Sequence, residues 1–356
     1  MVTYKTKLER WYTEELEFSK PIYIIIPSQN KISLTSTQLD ELKNSEAFLI
    51  INEQYETVKW ENIKNIVIPL LKDVPIENVV IVSLVAGFNL KNNSFIKDDC
   101  PYKIFHKNIF YDSYYDNFYN TDTEPKQILK HYACLMGNDK ISRRYIFYML
   151  KKGNLLPFGY VSHHRYQRPN SIDDNMFLTT LKSKIKDFDD FLRESEETVS
   201  LQDPAGWRHW VDKPDIYNEQ SCISLTCESV LGVGGVSVTE KTLRSIIFKK
   251  PFLLVAEPYV LKYLKHLGFK TFSDVFDESY DNILCPVIRC QKVYQQLESF
   301  CKLSLNEAID LTEKLRYITD YNYDYYFNHF DGTFKFKEKI ESYFLKVHKG
   351  ELNGRN

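Results

Sequence analysis

Short apolar runs rich in β-branched residues alternate with stretches of helical periodicity along most of this chain, and that alternation is its strongest constraint. Ile22-Tyr23-Ile24-Ile25-Ile26 stands between two prolines, Ala47-Phe48-Leu49-Ile50-Ile51 follows, and Val79-Val80-Ile81-Val82 comes third. Tyr132-Ala133-Cys134-Leu135-Met136 and Phe252-Leu253-Leu254-Val255-Ala256 repeat the pattern further on. A strand that is apolar on both faces must be covered on both faces, a condition met by parallel sheets with flanking helices. The chain therefore reads as α/β.

The helical stretches fall between these runs. Residues 60–71 put Ile63, Ile66 and Leu70 on one face. Ser142 stands where an N-cap is expected, Gly153 where that helix should stop, and Ile146, Met149 and Leu150 face inward. Residues 158–162 read as a strand. Residues 174–197 read as one charged helix with Phe177, Leu181, Ile185, Phe188 and Leu192 as its stripe, broken by Asp203-Pro204-Ala205-Gly206-Trp207. Residues 107–125, rich in Tyr, Asp and Asn without a period, mark an irregular joint, and 287–347 are helical, aromatic and free of proline. A length of 356 residues favours two domains. The expected division is 1–125, 126–300, and a helical tail, 301–356, packing back.

Composition narrows the partners. With 43% hydrophobic residues the chain can bury a core, and a formal net charge of −2 gives no global support for binding nucleic acid. The 7 cysteines include no Cys-x-x-Cys pair, which suits reduced, buried thiols. No apolar run reaches the ~18 residues a membrane span needs. Lys5, Lys7, Glu9 and Arg10 interrupt any secretion-signal pattern. The expectation is a soluble cytoplasmic protein, or one of a host cytoplasm if viral, with no stable membrane insertion.

Polar residues gather in 222–272, where strands feed helices. Cys222-Ile223-Ser224-Leu225-Thr226-Cys227 ends in Glu228, and after a glycine-broken loop Thr239-Glu240-Lys241 opens a helical pattern. A second helix, 259–267, stops at Gly268, and Phe269-Lys270-Thr271-Phe272 reads as another strand. Ligands of open α/β sheets bind at the carboxyl ends of strands. A helix start there offers unpaired N–H groups and partial positive charge to a diphosphate, with Lys241 adding a mobile cation. Glu240 has the chemistry to accept from ribose hydroxyls; a plain helix cap accounts for the same three residues. Glu228 suits a donor sugar or ribose, or equally a cap for the Gly232-Val233-Gly234-Gly235 loop. Arg165, in His163-His164-Arg165 after a strand, is a candidate phosphate clamp. Asp187-Phe188-Asp189 spells a metal-type motif but falls mid-helix, on a solvated face.

The order Thr239-Glu240-Lys241, apolar helix, Lys249-Lys250-Pro251-Phe252, Leu261-Lys262-Tyr263-Leu264, Leu267-Gly268-Phe269-Lys270-Thr271-Phe272 and Phe276-Asp277-Glu278-Ser279-Tyr280-Asp281 resembles a family pattern. It is similar to the carboxyl-terminal half of nucleotide-sugar glycosyltransferases of the GT-B fold, fucosyltransferase type, and more so to glycosyltransferase-like proteins of large phages and giant viruses. The resemblance implies two Rossmann-like domains facing a cleft, with the donor, a nucleotide-diphosphate sugar, in the second and the acceptor on the first. It places Lys241 at the diphosphate and Glu240 at the nucleoside, and it implies chemistry without a cofactor or bound metal. Where the family has an Asn-Arg-Arg-like turn this chain has Gly137-Asn138-Asp139, keeping Arg143 and Arg144 as donor contacts.

Inverting transfer needs a base at the acceptor hydroxyl. Glu56, with Glu53 as second choice, follows a strand in the first half, and Glu56 and Glu228 are the catalytic candidates. A glycan is the expected acceptor. Hydroxymethylated bases of DNA are the alternative acceptor. A catalytically silent nucleotide-sugar or carbohydrate-binding protein is the alternative class, and a purely structural viral protein the third.

Overall fold

The computed structural model describes residues 20, 22–25, 34–53, 68–83, 102–106, 126–137, 139–163, 172–199, 201, 216–228, 231, 236, 238–329 and 336–351. The chain is α/β and divides into two compact units. One comprises residues 1–85, 97–108 and 331–356, and the other residues 86–96 and 109–330.

The first unit is built on a parallel sheet of β1 (Ile22–Ile25), β2 (Phe48–Glu53), β3 (Val79–Ser83) and β4 (Lys103–His106), paired in that order. Phe48, Leu49, Ile50 and Ile51 are all buried, as expected of a strand covered on both faces. Helix α1 (Ser36–Lys43) starts with a capping box: Thr35 accepts from the amide of Gln38, and Gln38 accepts from that of Thr35. The C-terminal helix Phe336–His348 stacks Phe344 on Phe48, ring centroids 4.3 Å apart and both rings buried. Burying a ring of that size contributes about 1.5–3 kcal/mol.

The second unit holds β5 (Lys130–Met136), α2 (Ile141–Lys152), β6 (Gly159–His163), α3 (Ile172–Lys184), α4 (Phe188–Glu194), β7 (Ser221–Cys227), α5 (Glu240–Ile247), β8 (Phe252–Val255), α6 (Val260–His266), α7 (Pro286–Cys301), α8 (Leu305–Glu313) and α9 (Arg316–Asp324). Its sheet is parallel in the order β6-β5-β7-β8. The chain moves outward from β5 to β6, then crosses back to place β7 on the other side of β5. The carboxyl ends of strands beside such a reversal, here β5 and β7, are the usual ligand position in open parallel sheets. The buried ring of Tyr132 lies over its register partner Gly159, where an added Cβ would come within 2.3 Å of it. Among the described residues no helix is long and apolar enough to cross a membrane.

Several expectations are corrected. Residues 269–272 form no strand, although Phe269 and Phe272 are buried. The side-chain amide of Asn322 accepts from the Lys270 amide at 2.8 Å and donates to its carbonyl at 2.9 Å, doing the work of a neighbouring strand. Residues 174–197 are two helices, so the buried stripe continues through Phe191 while Leu192 is exposed. Ser142 lies inside the first turn of α2 and Lys140 holds the cap position. The tail divides: 301–329 belongs to the second unit, with Ala308, Ile318 and Tyr326 in its core, and 336–348 to the first. Sequence reading overlooked β4 and α1. Of the helix expected over 60–71, residues 60–67 lie outside the described ones.

Candidate functional site at the carboxyl edge of the second sheet

β7 delivers Glu228 to the sheet's carboxyl edge, where its amide donates to the Val255 carbonyl at 2.9 Å. Its side chain is buried, at 2% exposure. A buried carboxylate needs several donors, and α5 supplies them. Glu228 Oε1 accepts from the Thr239 amide at 3.1 Å and from the Thr242 hydroxyl at 2.6 Å, and Oε2 accepts from the Thr239 hydroxyl. The carboxylate thus sits on the first turn of α5, where the helix dipole favours negative charge. Thr239 is the N-cap in extended conformation. Its oxygen accepts from Lys241 Nζ at 3.2 Å and, at a long 3.5 Å, from the Lys241 amide.

Glu240 and Lys241 follow on that turn, paired with one another and both partly exposed. α5 is anchored below them by buried Leu243, Ile246 and Ile247. The arrangement is a rigid, acid-capped helix start presenting one carboxylate and one ammonium group at its outer rim.

The first turn of α2, which follows β5, reaches the same edge. Arg143, 1% exposed, donates from Nη2 to the carbonyls of Cys227 at 3.1 Å and Glu228 at 3.4 Å. It therefore ties the helix after β5 to the end of β7. Arg144 makes a two-pronged pair with Asp139, donating from Nε at 2.6 Å and also from Nη2, which holds its pKa above the ordinary arginine value. The first amide of α2, that of Ile141, donates to Asp174 at 3.0 Å. These bonds give α2 a protein anion at its start and give both arginines protein partners.

Structure thus brings Arg143, Glu228, Thr239, Glu240 and Lys241 to one edge. Glu56 and Arg165 lie outside the described residues. The side chain of Glu53, at the end of β2, is likewise outside them. His163 is buried, stacked on Phe147 at 4.6 Å with Nδ1 2.8 Å from the Glu197 carbonyl. Asp187 takes the cap position of α4 and accepts from Tyr148 and Lys152, which hold its carboxyl below the usual range.

The segment after β8 uses residues that sequence reasoning did not single out. Buried Arg289 donates from Nε to the Ala256 carbonyl at 2.7 Å and from Nη1 to that of Ile283. Asp281 accepts from the amides of Leu261 at 3.0 Å and Lys262 at 3.1 Å, and its carbonyl accepts from Tyr259 N at 2.7 Å. Burial pushes the Asp281 carboxyl up to about 6, against the lowering effect of those two amides. Tyr259 is held at φ 70, a left-handed conformation that a non-glycine residue adopts only when its surroundings enforce it. The Phe276–Asp281 run contained the signal: Glu278 accepts from the Thr271 hydroxyl, the Phe272 amide and Lys265, so it staples the turn.

The sequence matches no protein-family profile and no curated protein.

Proposed function

We propose that this chain is a glycosyltransferase of the GT-B kind that moves a sugar from a nucleotide-diphosphate donor to an acceptor hydroxyl, most simply that of a glycan. The observation that carries this reading is the start of α5, where Thr239, Glu240 and Lys241 stand at the carboxyl edge of a parallel sheet beside a topological reversal. The Lys241 ammonium group, paired with Glu240 at the rim, suits a phosphate, and Glu240 suits the ribose hydroxyls.

In the proposed reaction the acceptor oxygen attacks the anomeric carbon and gives its proton to a carboxylate, for which Glu56 is the candidate. The bond from the anomeric carbon to the phosphate oxygen breaks, and the nucleoside diphosphate leaves with the electron pair. Lys241 and the first turn of α5 stabilise the charge that develops there. Glu228 is assigned a positioning role: its carboxylate is committed to Thr239 and Thr242. Arg143 supports it through the backbone of residues 227 and 228.

The test is release of nucleoside diphosphate from a panel of nucleotide sugars, with and without oligosaccharide acceptors. Turnover that falls about 100-fold or more in Lys241→Ala supports the proposal. Thermal stabilisation by a nucleotide sugar without turnover favours the silent binding protein, and no consumption of any donor counts against transfer.

A further inference from the structure

β5 ends at Met136, and Gly137-Asn138-Asp139 leads from it to α2. The proposed reaction gives Asp139 no task, yet its carboxylate is the most firmly placed charge on this stretch. It takes both prongs of the Arg144 guanidinium, Nε at 2.6 Å and Nη2 as well. The two side chains are 8% and 19% exposed, carboxylate first. A planar guanidinium fork holds a carboxylate or a phosphate through the same two donors. The pair is thus a seat for an oxyanion, and the chain fills that seat itself. Asp174, which accepts from the Ile141 amide at 3.0 Å, and Glu196 add negative charge around the same arginine. The seat stands at the carboxyl end of β5, where ligands of such sheets bind. That strand end is open: a Cβ added to Gly137 would meet nothing within 4 Å. It is also tied to the start of α5, because Arg143 donates to the Glu228 carbonyl at 3.4 Å and Glu228 accepts from Thr239.

We propose that Asp139 is a built-in counter-anion that competes with phosphate for Arg144, leaving the diphosphate of a donor to Lys241. A freely exposed pair would compete weakly, but this one is two-pronged and largely enclosed, where charges are screened less. A phosphate that takes the Arg144 fork must first release Asp139. The consequence is a weaker hold on the departing nucleoside diphosphate, and product release sets the turnover of many enzymes. The ligand's identity rests on the proposed function; the competition for Arg144 does not.

The experiment is calorimetric titration of the full chain, at constant ionic strength, with inorganic pyrophosphate and with GDP, UDP, ADP, CDP and TDP. The parent is compared with Asp139→Asn, which keeps the side-chain shape, and with Asp139→Ser. Glu196→Gln and the double variant Asp139→Asn, Arg144→Ala complete the set. Both Asp139 variants are expected to bind pyrophosphate about tenfold more tightly than the parent, the worth of one charge-assisted hydrogen bond. The double variant loses that gain. Glu196→Gln removes the same charge from an exposed neighbour of Arg144 and gains only about twofold. The competition is overturned if the Asp139 variants bind pyrophosphate no more tightly than the parent, whether or not a nucleotide binds. It is overturned as well if the double variant keeps the gain or Glu196→Gln matches it. A gain for pyrophosphate with no binding of any nucleoside diphosphate upholds the counter-anion and counts against the donor reading instead.

Discussion

Glu228 accepts hydrogen bonds from both the backbone amide and the hydroxyl of Thr239, so a strand-end carboxylate and the cap of the next helix form one unit. Removing the carboxylate orphans those donors and the Thr242 hydroxyl in a buried place. Glu228→Ala is expected to cost about 2–4 kcal/mol and Glu228→Gln about 1–2 kcal/mol, since the amide retains one acceptor oxygen. Urea denaturation reads both; values within about 0.5 kcal/mol of the parent would rule out the capping role.

Gly268 stands at φ 97, and a Cβ there would lie 2.3 Å from the Tyr325 hydroxyl oxygen. Gly268→Ala therefore meets backbone strain and a side chain that is itself bonded to the Leu267 carbonyl. A loss of about 1–3 kcal/mol is expected. The double variant Gly268→Ala, Tyr325→Ala checks the cause, because its two effects add less than fully if the clash is real.

Asp281 binds its proton more tightly in the folded chain, at about 6, than at the ordinary value of 3.8. Stability from this group is therefore greatest below about pH 4 and declines as pH rises through 6, by up to about 3 kcal/mol. Asp281→Asn cannot ionise. The stability of the parent relative to this variant should fall between pH 4 and 7 by an amount of that order; a flat difference contradicts the assignment.

The parallel sheets were legible because β2, β3 and β8 are apolar on both faces, and the start of α5 because Thr239 caps it. The end of α6 was equally plain, since a left-handed residue after a helix favours glycine. Residues 269–272 read as a strand because their apolar content is that of one; the partner that replaced it, Asn322, lies on α9, far along the chain. The break between α3 and α4 left no local mark, because Ile185 and Phe188 continue the periodicity across it. Glu228 was found as a charged residue at a strand end and Arg143 through the family resemblance, but only their contacts reveal that each is committed to protein groups. Arg289 escaped notice, and Asp281 was read only as part of a motif, for the same reason: a buried ion is recognised by tertiary partners.

In the proposed function the start of α5 holds a nucleoside diphosphate through Lys241. Its ammonium group also donates to the Thr239 cap, so the Tm of unliganded Lys241→Ala is measured beside that of the parent. The most direct measurement is the Tm of the full chain with GDP, UDP, ADP, CDP and TDP, for the parent and for Lys241→Ala. Ligand at a hundredfold excess over Kd adds about 2.7 kcal/mol to the folded state. At least one of these nucleotides is expected to raise the Tm of the parent, and Lys241→Ala to abolish the rise. No rise with any of the five, or an equal rise in the variant, contradicts it.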